Sequence, residues 1–265
     1  MKTVILCGGL GTRLAEETQI KPKPMVEIGG KPILWHIMKI YDQFGYRDFV
    51  LPLGYKGEQI KSYFLNYHML SGNCSINTLT GQMDYEHQSH EDWDVHMFET
   101  GHETLTGGRL KRLESYLRPT GTFMLTYGDG VCNVDLSKLV AFHQSHGMIA
   151  TMTTVRPSAR FGTMEFDGQQ VASFTEKSQT HAGWINGGFF VFEPEIFDYL
   201  EDDYTILERY PLERLAKEGQ LMAYHHEGFW RCMDTIRDKQ VLEEHYQNGQ
   251  TDWLNILLSE KVFEE

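Results

Sequence analysis

Residues Thr3 to Leu6 form a short apolar, β-branched run that opens directly into Gly8, Gly9 and Gly11, with Arg13 close behind. No other stretch constrains the fold as tightly. A buried apolar strand that ends in glycines reads as a parallel strand reaching the carboxyl edge of a sheet, where open α/β sheets bind ligands. Glycines there let the backbone turn with positive φ and aim successive N–H groups into one concavity that stabilises an anion. Arg13 and Lys23 add fixed positive charge beside it. The same glycines also suit a tight strand-to-helix connection that binds nothing.

Spacing excludes two common phosphate-binding motifs. Lys21 and Lys23 lie too far along for G-x-x-x-x-G-K-[ST], and Leu14 stands where G-x-G-x-x-G needs its third glycine. Neither an ATPase loop nor a dinucleotide fold is supported. The formal charge of −13 argues against nucleic acid or an anionic membrane as partner. At 265 residues the chain has room for one large α/β domain or two small ones, and a single domain is the expectation. No apolar run approaches the ~20 residues that span a bilayer, and the N-terminus enters a strand without a leader pattern, so a cytoplasmic location is expected. Cysteines 7, 74, 132 and 232 have no CxxC spacing and read as buried, reduced thiols.

Along the chain, Pro32 opens a helical stripe from Ile33 to Phe44 that ends at Gly45. Trp35 and His36 read as packing residues. Asp48 to Leu53 reads as a second strand, broken at Pro52 and Gly54, and Glu58 to Asn66 as a second helix. This order implies a parallel sheet with right-handed crossovers. Between Tyr67 and Gly101 the pattern loosens into a polar insertion or oligomer contact. His87 and His90 lack the i, i+4 spacing of a helical zinc pair. Trp93 to Gly101 alternates as a strand, and Thr104 to Arg112 places hydroxyls and Gly107-Gly108 before a basic helix start. Thr122 to Tyr127 then delivers Gly128-Asp129-Gly130 to the same sheet edge as the first loop, where Asp129 is either a turn residue or a metal ligand. Leu136 to His146 reads as a helix and Ile149 to Val155 as a strand. A hairpin with an Asp167-Gly168 turn exits at Glu176-Lys177, followed by an Asn186-Gly187-Gly188 turn, an apolar strand from Phe189 to Phe192, and helices at Glu195 to Leu200 and Pro211 to Glu218. A short strand from Leu221 to Tyr224 and a closing helix from Thr235 to about Tyr246 complete the body, with Asp234 placed to cap that helix. Trp253, Ile256, Leu257 and Leu258 make the tail apolar enough to dock on the body or a neighbouring subunit.

Taken together, Gly8-Gly9-Leu10-Gly11-Thr12-Arg13-Leu14 followed by Lys21-Pro22-Lys23-Pro24-Met25 resembles the signature of the sugar-1-phosphate nucleotidyltransferases. Glu16-Glu17-Thr18 and the Thr104 to Arg112 stretch resemble its glucose-1-phosphate cytidylyltransferase branch, and the match covers nearly the whole chain. The resemblance implies a mostly parallel Rossmann-like α/β sheet flanked by helices, in one domain over 1–265. It has an insertion near 67–101, a sugar-binding half near 156–235 and a helical tail at 236–265. It implies a nucleotide site of Leu6, Cys7, Gly8, Gly9, Leu10, Gly11, Thr12, Arg13, Lys23, Thr104, Arg109 and Gly128. Glu176, Lys177, Asn186, Gly187 and Gly188 would hold the sugar and its phosphate, and Asp129 and Asp234 a magnesium ion (Mg2+). Cys7 and Ser178, where a smaller residue and a proline are usual, depart from the pattern.

The chemistry so implied joins CTP to glucose 1-phosphate, giving CDP-glucose and pyrophosphate. UTP- or dTTP-dependent transfer and a non-catalytic nucleotide-sugar-binding regulatory subunit are the alternatives. The nucleophile is a phosphate oxygen already ionised at neutral pH, since a phosphomonoester's second pKa is about 6. No catalytic base is required. Neutralising two polyanions and aligning them at the α phosphorus would fall to magnesium, Arg13 on the pyrophosphate, Lys23 on the α phosphate and Lys177 on the attacking phosphate. A homo-oligomer is expected, a hexamer among the options.

Overall fold

The computed structural model describes residues 1–70, 72–85, 91–157, 163–167, 169–175 and 183–257. Seven strands form the central sheet: β1 (Lys2–Leu6), β2 (Asp48–Leu53), β3 (Asp94–Glu99), β4 (Phe123–Tyr127), β5 (Ala150–Val155), β6 (Ile185–Phe192) and β7 (Leu221–His226). Their order is β3-β2-β1-β4-β6-β5-β7. All run parallel except β6, which is antiparallel to both β4 and β5. The mostly parallel α/β sheet expected from the sequence is therefore the fold.

Period-two alternation divides the core between the two faces of the sheet. Ile5 and Cys7 point to one side with Phe49, Leu51, Met124 and Val191, where they meet the helices Ile33–Asp42 and Leu136–His146. Val4 and Leu6 point to the other with Val50, Phe123, Leu125 and Phe190, against Leu110, Leu117, Phe197 and Leu215. Burial on both faces is why these strands read as continuous apolar runs. Pro52 does not break β2. Its carbonyl accepts from the Cys7 N–H at 3.3 Å, so its missing donor faces β1, where the regular β1–β2 register has already ended at Val4 and Val50.

Three other expectations need correction. The helix after Thr104 spans Thr106–Lys111, so Gly107 and Gly108 lie inside it. They are small because the chain at 203–207 packs directly on the helix: a Cβ on Gly108 would stand 2.4 Å from the Asp203 carbonyl oxygen. Asn186-Gly187-Gly188 is part of β6 rather than a turn. Its register against β5 slips between Met152 and Thr154, where Gly188 and Phe189 take φ of 76° and 50°. A buried Phe at positive φ is strained, and stacking on Tyr41 helps hold it there. Cys74 is exposed, on a hairpin of Cys74–Ile76 and Met83–Tyr85 that forms its own two-stranded sheet.

Buried Trp253 and Ile256 dock the tail on the body, and Leu258 lies outside the described residues. His36 is a packing residue, its Nε2 2.8 Å from the Ile28 carbonyl and its pKa lowered by burial. His87, His90, Gly168, Glu176, Lys177 and Ser178 also lie outside the described residues.

Candidate active site

Four segments far apart in sequence converge at the carboxyl edge of β1 and β4. After β1, the loop from Cys7 passes over Arg109 and enters a 3-10 turn, Thr12–Leu14, that presents Arg13. Of Gly8, Gly9 and Gly11, only Gly11 takes positive φ, at 64°. Gly8 is small for a different reason: a Cβ there would lie 2.1 Å from the Arg109 guanidinium carbon. A second 3-10 turn, Lys23–Met25, starts after Pro22 and carries Lys23 beneath the same edge.

Asp129 follows β4, and a two-strand ribbon brings the second carboxylate to it. Gly130–Cys132 pairs antiparallel with Trp230–Cys232, and the Met233 N–H donates to the Asp129 carbonyl at 2.8 Å. Asp234 is therefore held beside Asp129. It does not cap the closing helix Ile236–Gln247, because Thr235 does so in a reciprocal capping box with Asp238. The Asp234 side chain is left for the site.

Lys23 joins the two carboxylates. Its Nζ donates to Asp129 Oδ2 at 2.7 Å and to Asp234 Oδ1 at 2.7 Å, while Arg13 Nη1 donates to Asp234 Oδ2 at 2.7 Å. Burial alone would lower the Lys23 pKa, but the two carboxylates outweigh it and raise the value. Burial alone would raise Asp234, and Lys23 and Arg13 hold it below the usual carboxylate range. The Arg13 side chain is 70% exposed, so its pair with Asp234 is water-screened and weak. Lys23, at 11%, is enclosed.

Two cavities meet at this network. The first, about 350 Å3, is lined by Leu6, Cys7, Gly8, Gly9, Gly11, Thr12, Arg13, Lys23, Thr104, Arg109, Gly128 and Asp129, together with Pro24, Leu105, Thr106 and Tyr127. Of the residues expected to meet a nucleotide, Leu10 stays outside that lining and is exposed. The second, about 680 Å3, takes Asn186, Gly187, Phe189, Glu208, Trp230, Cys232 and Asp234 among its walls. Gly188 is not among them. Arg13, Tyr127 and Asp129 line both.

Arg109 is more a strut than a free cation. Its Nη1 donates to Leu53 O, Thr100 Oγ1 and Gly101 O at 3.0, 2.8 and 2.7 Å, and its Nη2 to Gly8 O and His102 O at 2.9 and 3.3 Å. Sequence reasoning missed a second set of residues. Tyr127 OH accepts from Asn186 Nδ2 at 3.0 Å, and its pKa is pushed up by burial and then by Glu208. Glu208 Oε2 accepts from Thr106 Oγ1 at 2.7 Å. Tyr127 was legible from its place before Gly128-Asp129; Glu208 carries no local signal.

The donor set suits a hard divalent cation. Two carboxylates converge on one point already filled by an ammonium, and magnesium is usually held by one or two carboxylates plus substrate phosphates. The Cys232 thiol, 3.6 Å from Asp234 Oδ2, is pushed up to about 12 by burial and the surrounding carboxylates, so it stays protonated and is no thiolate ligand. No cluster of three or more His, Cys, Asp or Glu able to hold a metal occurs among the described residues. No described helix is long and apolar enough to cross a membrane.

Known proteins resemble the chain over most of its length. The family profile described as nucleotidyl transferase matches residues 2–234. The chain is 48% identical to the glucose-1-phosphate cytidylyltransferase of Salmonella typhi over 96% of its own length and 98% of that protein. It is 45% identical to the probable glucose-1-phosphate cytidylyltransferase of Bacillus subtilis (strain 168), over 96% and 99%. The crystal structure of HddC from Yersinia pseudotuberculosis superposes with a TM-score of 0.67 at 24% identity, covering 92% of this chain and 99% of that one, which supports the fold. The chain belongs to the nucleotidyl transferase family, within its glucose-1-phosphate cytidylyltransferase branch.

Proposed function

We propose that the chain transfers the cytidylyl group of CTP to glucose 1-phosphate, releasing pyrophosphate and giving CDP-glucose. The observation that carries this reading is the meeting of two cavities at one acidic and basic seam, Arg13, Lys23, Asp129 and Asp234. The triphosphate lies in the first cavity along the Gly8 to Arg13 loop and the sugar phosphate in the second, so that the α phosphorus faces the attacking oxygen at the seam.

Asp129 and Asp234 would hold Mg2+, which when bound neutralises phosphate charge that would otherwise repel the nucleophile. Lys23 donates to the α phosphate, and Arg13, largely exposed, closes on the departing pyrophosphate. No histidine lines either cavity among the described residues. An ionised phosphate nucleophile needs no base. In the second cavity Asn186, Tyr127 and Glu208 offer fixed hydrogen-bonding groups for sugar hydroxyls, and Lys177 is assigned the attacking phosphate. Free cysteines suit a reducing, cytoplasmic setting. Exposed Ile76, Leu79 and Met83 on the two-stranded hairpin suit a contact between subunits of a homo-oligomer.

The test is pyrophosphate release with CTP, UTP, dTTP and GTP against glucose 1-phosphate and mannose 1-phosphate. The CTP and glucose 1-phosphate pair should have the highest kcat/KM. A higher value for another nucleotide or sugar would reassign the substrates, and release from none would support a non-catalytic binding role.

A further inference from the structure

Lys23 stands where the metal would stand. Its Nζ lies 2.7 Å from Asp129 Oδ2 and 2.7 Å from Asp234 Oδ1, and Arg13 takes the second Asp234 oxygen at the same distance. Three of the four carboxylate oxygens are thus engaged by cationic side chains. A magnesium-sized ion needs its oxygens at about 2.0–2.1 Å. Such an ion, bound between the same two oxygens that hold Nζ, would press on the ammonium, with Asp129 Oδ1 the one carboxylate oxygen not engaged by a cationic side chain. Ammonium and metal therefore exclude each other in this gap.

The proposed reaction needs both at once, the ammonium on phosphate and the metal on carboxylates. We propose that Lys23 is a built-in counter-ion of the metal seat. It fills the seat in the nucleotide-free enzyme, opposes metal binding there, and moves to the α phosphate when a triphosphate arrives, so that metal and nucleotide enter together. This rests on the reading of Asp129 and Asp234 as metal carboxylates.

Two features support the exchange. The Lys23 and Asp234 side chains are only 11% and 13% exposed and Asp129 27%, so removing one cation without supplying another leaves a poorly hydrated Asp234 carboxylate facing Asp129. Lys23 also lines the first cavity, and its four-carbon stem can swing its ammonium from carboxylate to phosphate with the backbone fixed. Coupling of this kind is reciprocal: whatever draws Lys23 away raises metal affinity.

The test is Mn2+ titration of nucleotide-free protein, with unbound ion counted by electron paramagnetic resonance. It compares wild type, Lys23→Met, Lys23→Gln, Asp129→Asn and the double variant Lys23→Met with Asp129→Asn. Loss of a cationic side chain should tighten Mn2+ binding about tenfold, within the roughly 5–150-fold range of coupled sites. Added Mn2+ should raise the melting temperature of the lysine variants more than that of wild type, a readout that serves even if those variants are destabilised. Equal or tighter Mn2+ binding by wild type, still abolished by Asp129→Asn, would overturn the proposal and leave the metal site standing. Tight binding that survives Asp129→Asn in the double variant would overturn the carboxylate assignment itself.

Discussion

Replacing Arg109 with lysine separates two roles for this residue, direct contact with the nucleotide and support of the loop that cradles it. Arg109 is 4% exposed, and its guanidinium spreads its bonds over the carbonyls of Gly8, Leu53, Gly101 and His102 and the Thr100 hydroxyl. A lysine keeps the charge but has one nitrogen with three donors, so it serves one arm of this arrangement and abandons the other. Losing the Nη2 arm removes the charge-assisted bond to the Gly8 carbonyl, which then keeps only the Tyr55 N–H at 3.3 Å, and the longer bond to the carbonyl of exposed His102. At about 1.5–3 kcal/mol for a hydrogen bond from a charged donor, loss of the one to Gly8 should make Arg109→Lys cost about 1.5–3 kcal/mol, a sizeable share of a typical 5–15 kcal/mol total. Urea unfolding of ligand-free protein measures that loss. Because Gly8 belongs to the loop proposed to hold the triphosphate, KM for CTP should rise while KM for glucose 1-phosphate holds. A stability loss below about 0.5 kcal/mol, the scale of an ordinary surface change, would refute the strut argument even if CTP binding suffered.

Lys23→Ala or Asp129→Ala should each lower kcat by roughly a hundredfold or more, the scale for losing one transition-state donor, with circular dichroism unchanged; near-normal turnover in either would undo its assignment. Lys177→Ala should raise KM for glucose 1-phosphate and spare that for CTP, and the reverse pattern would mean the two subsites are exchanged. The stability difference between wild type and Asp234→Asn should follow pH with a definite sign. Asp234 is depressed in the native protein, so its contribution is complete above the unfolded value near ~3.9 and fades as pH falls through the native one. Lys23 is raised, so its contribution is complete below about 10.4 and fades only as pH rises through its native value. Urea melts should therefore show a difference that is flat from about pH 5 to 9 and shrinks in acid; one that grew in acid would contradict the charge assignment.

The sheet was legible because its strands are buried on both faces, so β1, β2 and β4 appear as unbroken apolar runs with glycine or proline at their ends. The placement of Arg13, Lys23 and Asp129 near one edge followed from that pattern. Asp234 was harder, since its proximity depends on the ribbon pairing Gly130–Cys132 with Trp230–Cys232, a contact across about a hundred residues with no local periodicity. Gly107-Gly108 misled because paired glycines usually mark a loop, whereas here they admit the backbone at 203–207 against a helix. Arg109 was expected to meet the nucleotide, and only the fold shows the backbone carbonyls that surround it. Glu208 joins the second cavity through a chain position and side-chain contacts that no spacing rule encodes.

The central claim is that sugar phosphate and nucleotide meet at the seam and react in one step, without a covalent enzyme intermediate. The cavity walls favour this, because burial raises the Cys7 thiol and holds Cys232 at about 12, which leaves neither ionised at neutral pH. The direct measurement uses CTP with a single sulfur-labelled configuration at the α phosphorus and reads the configuration of the CDP-glucose product by phosphorus NMR. One in-line displacement predicts inversion. Retention would require two displacements through a nucleotidyl-enzyme and would contradict the account.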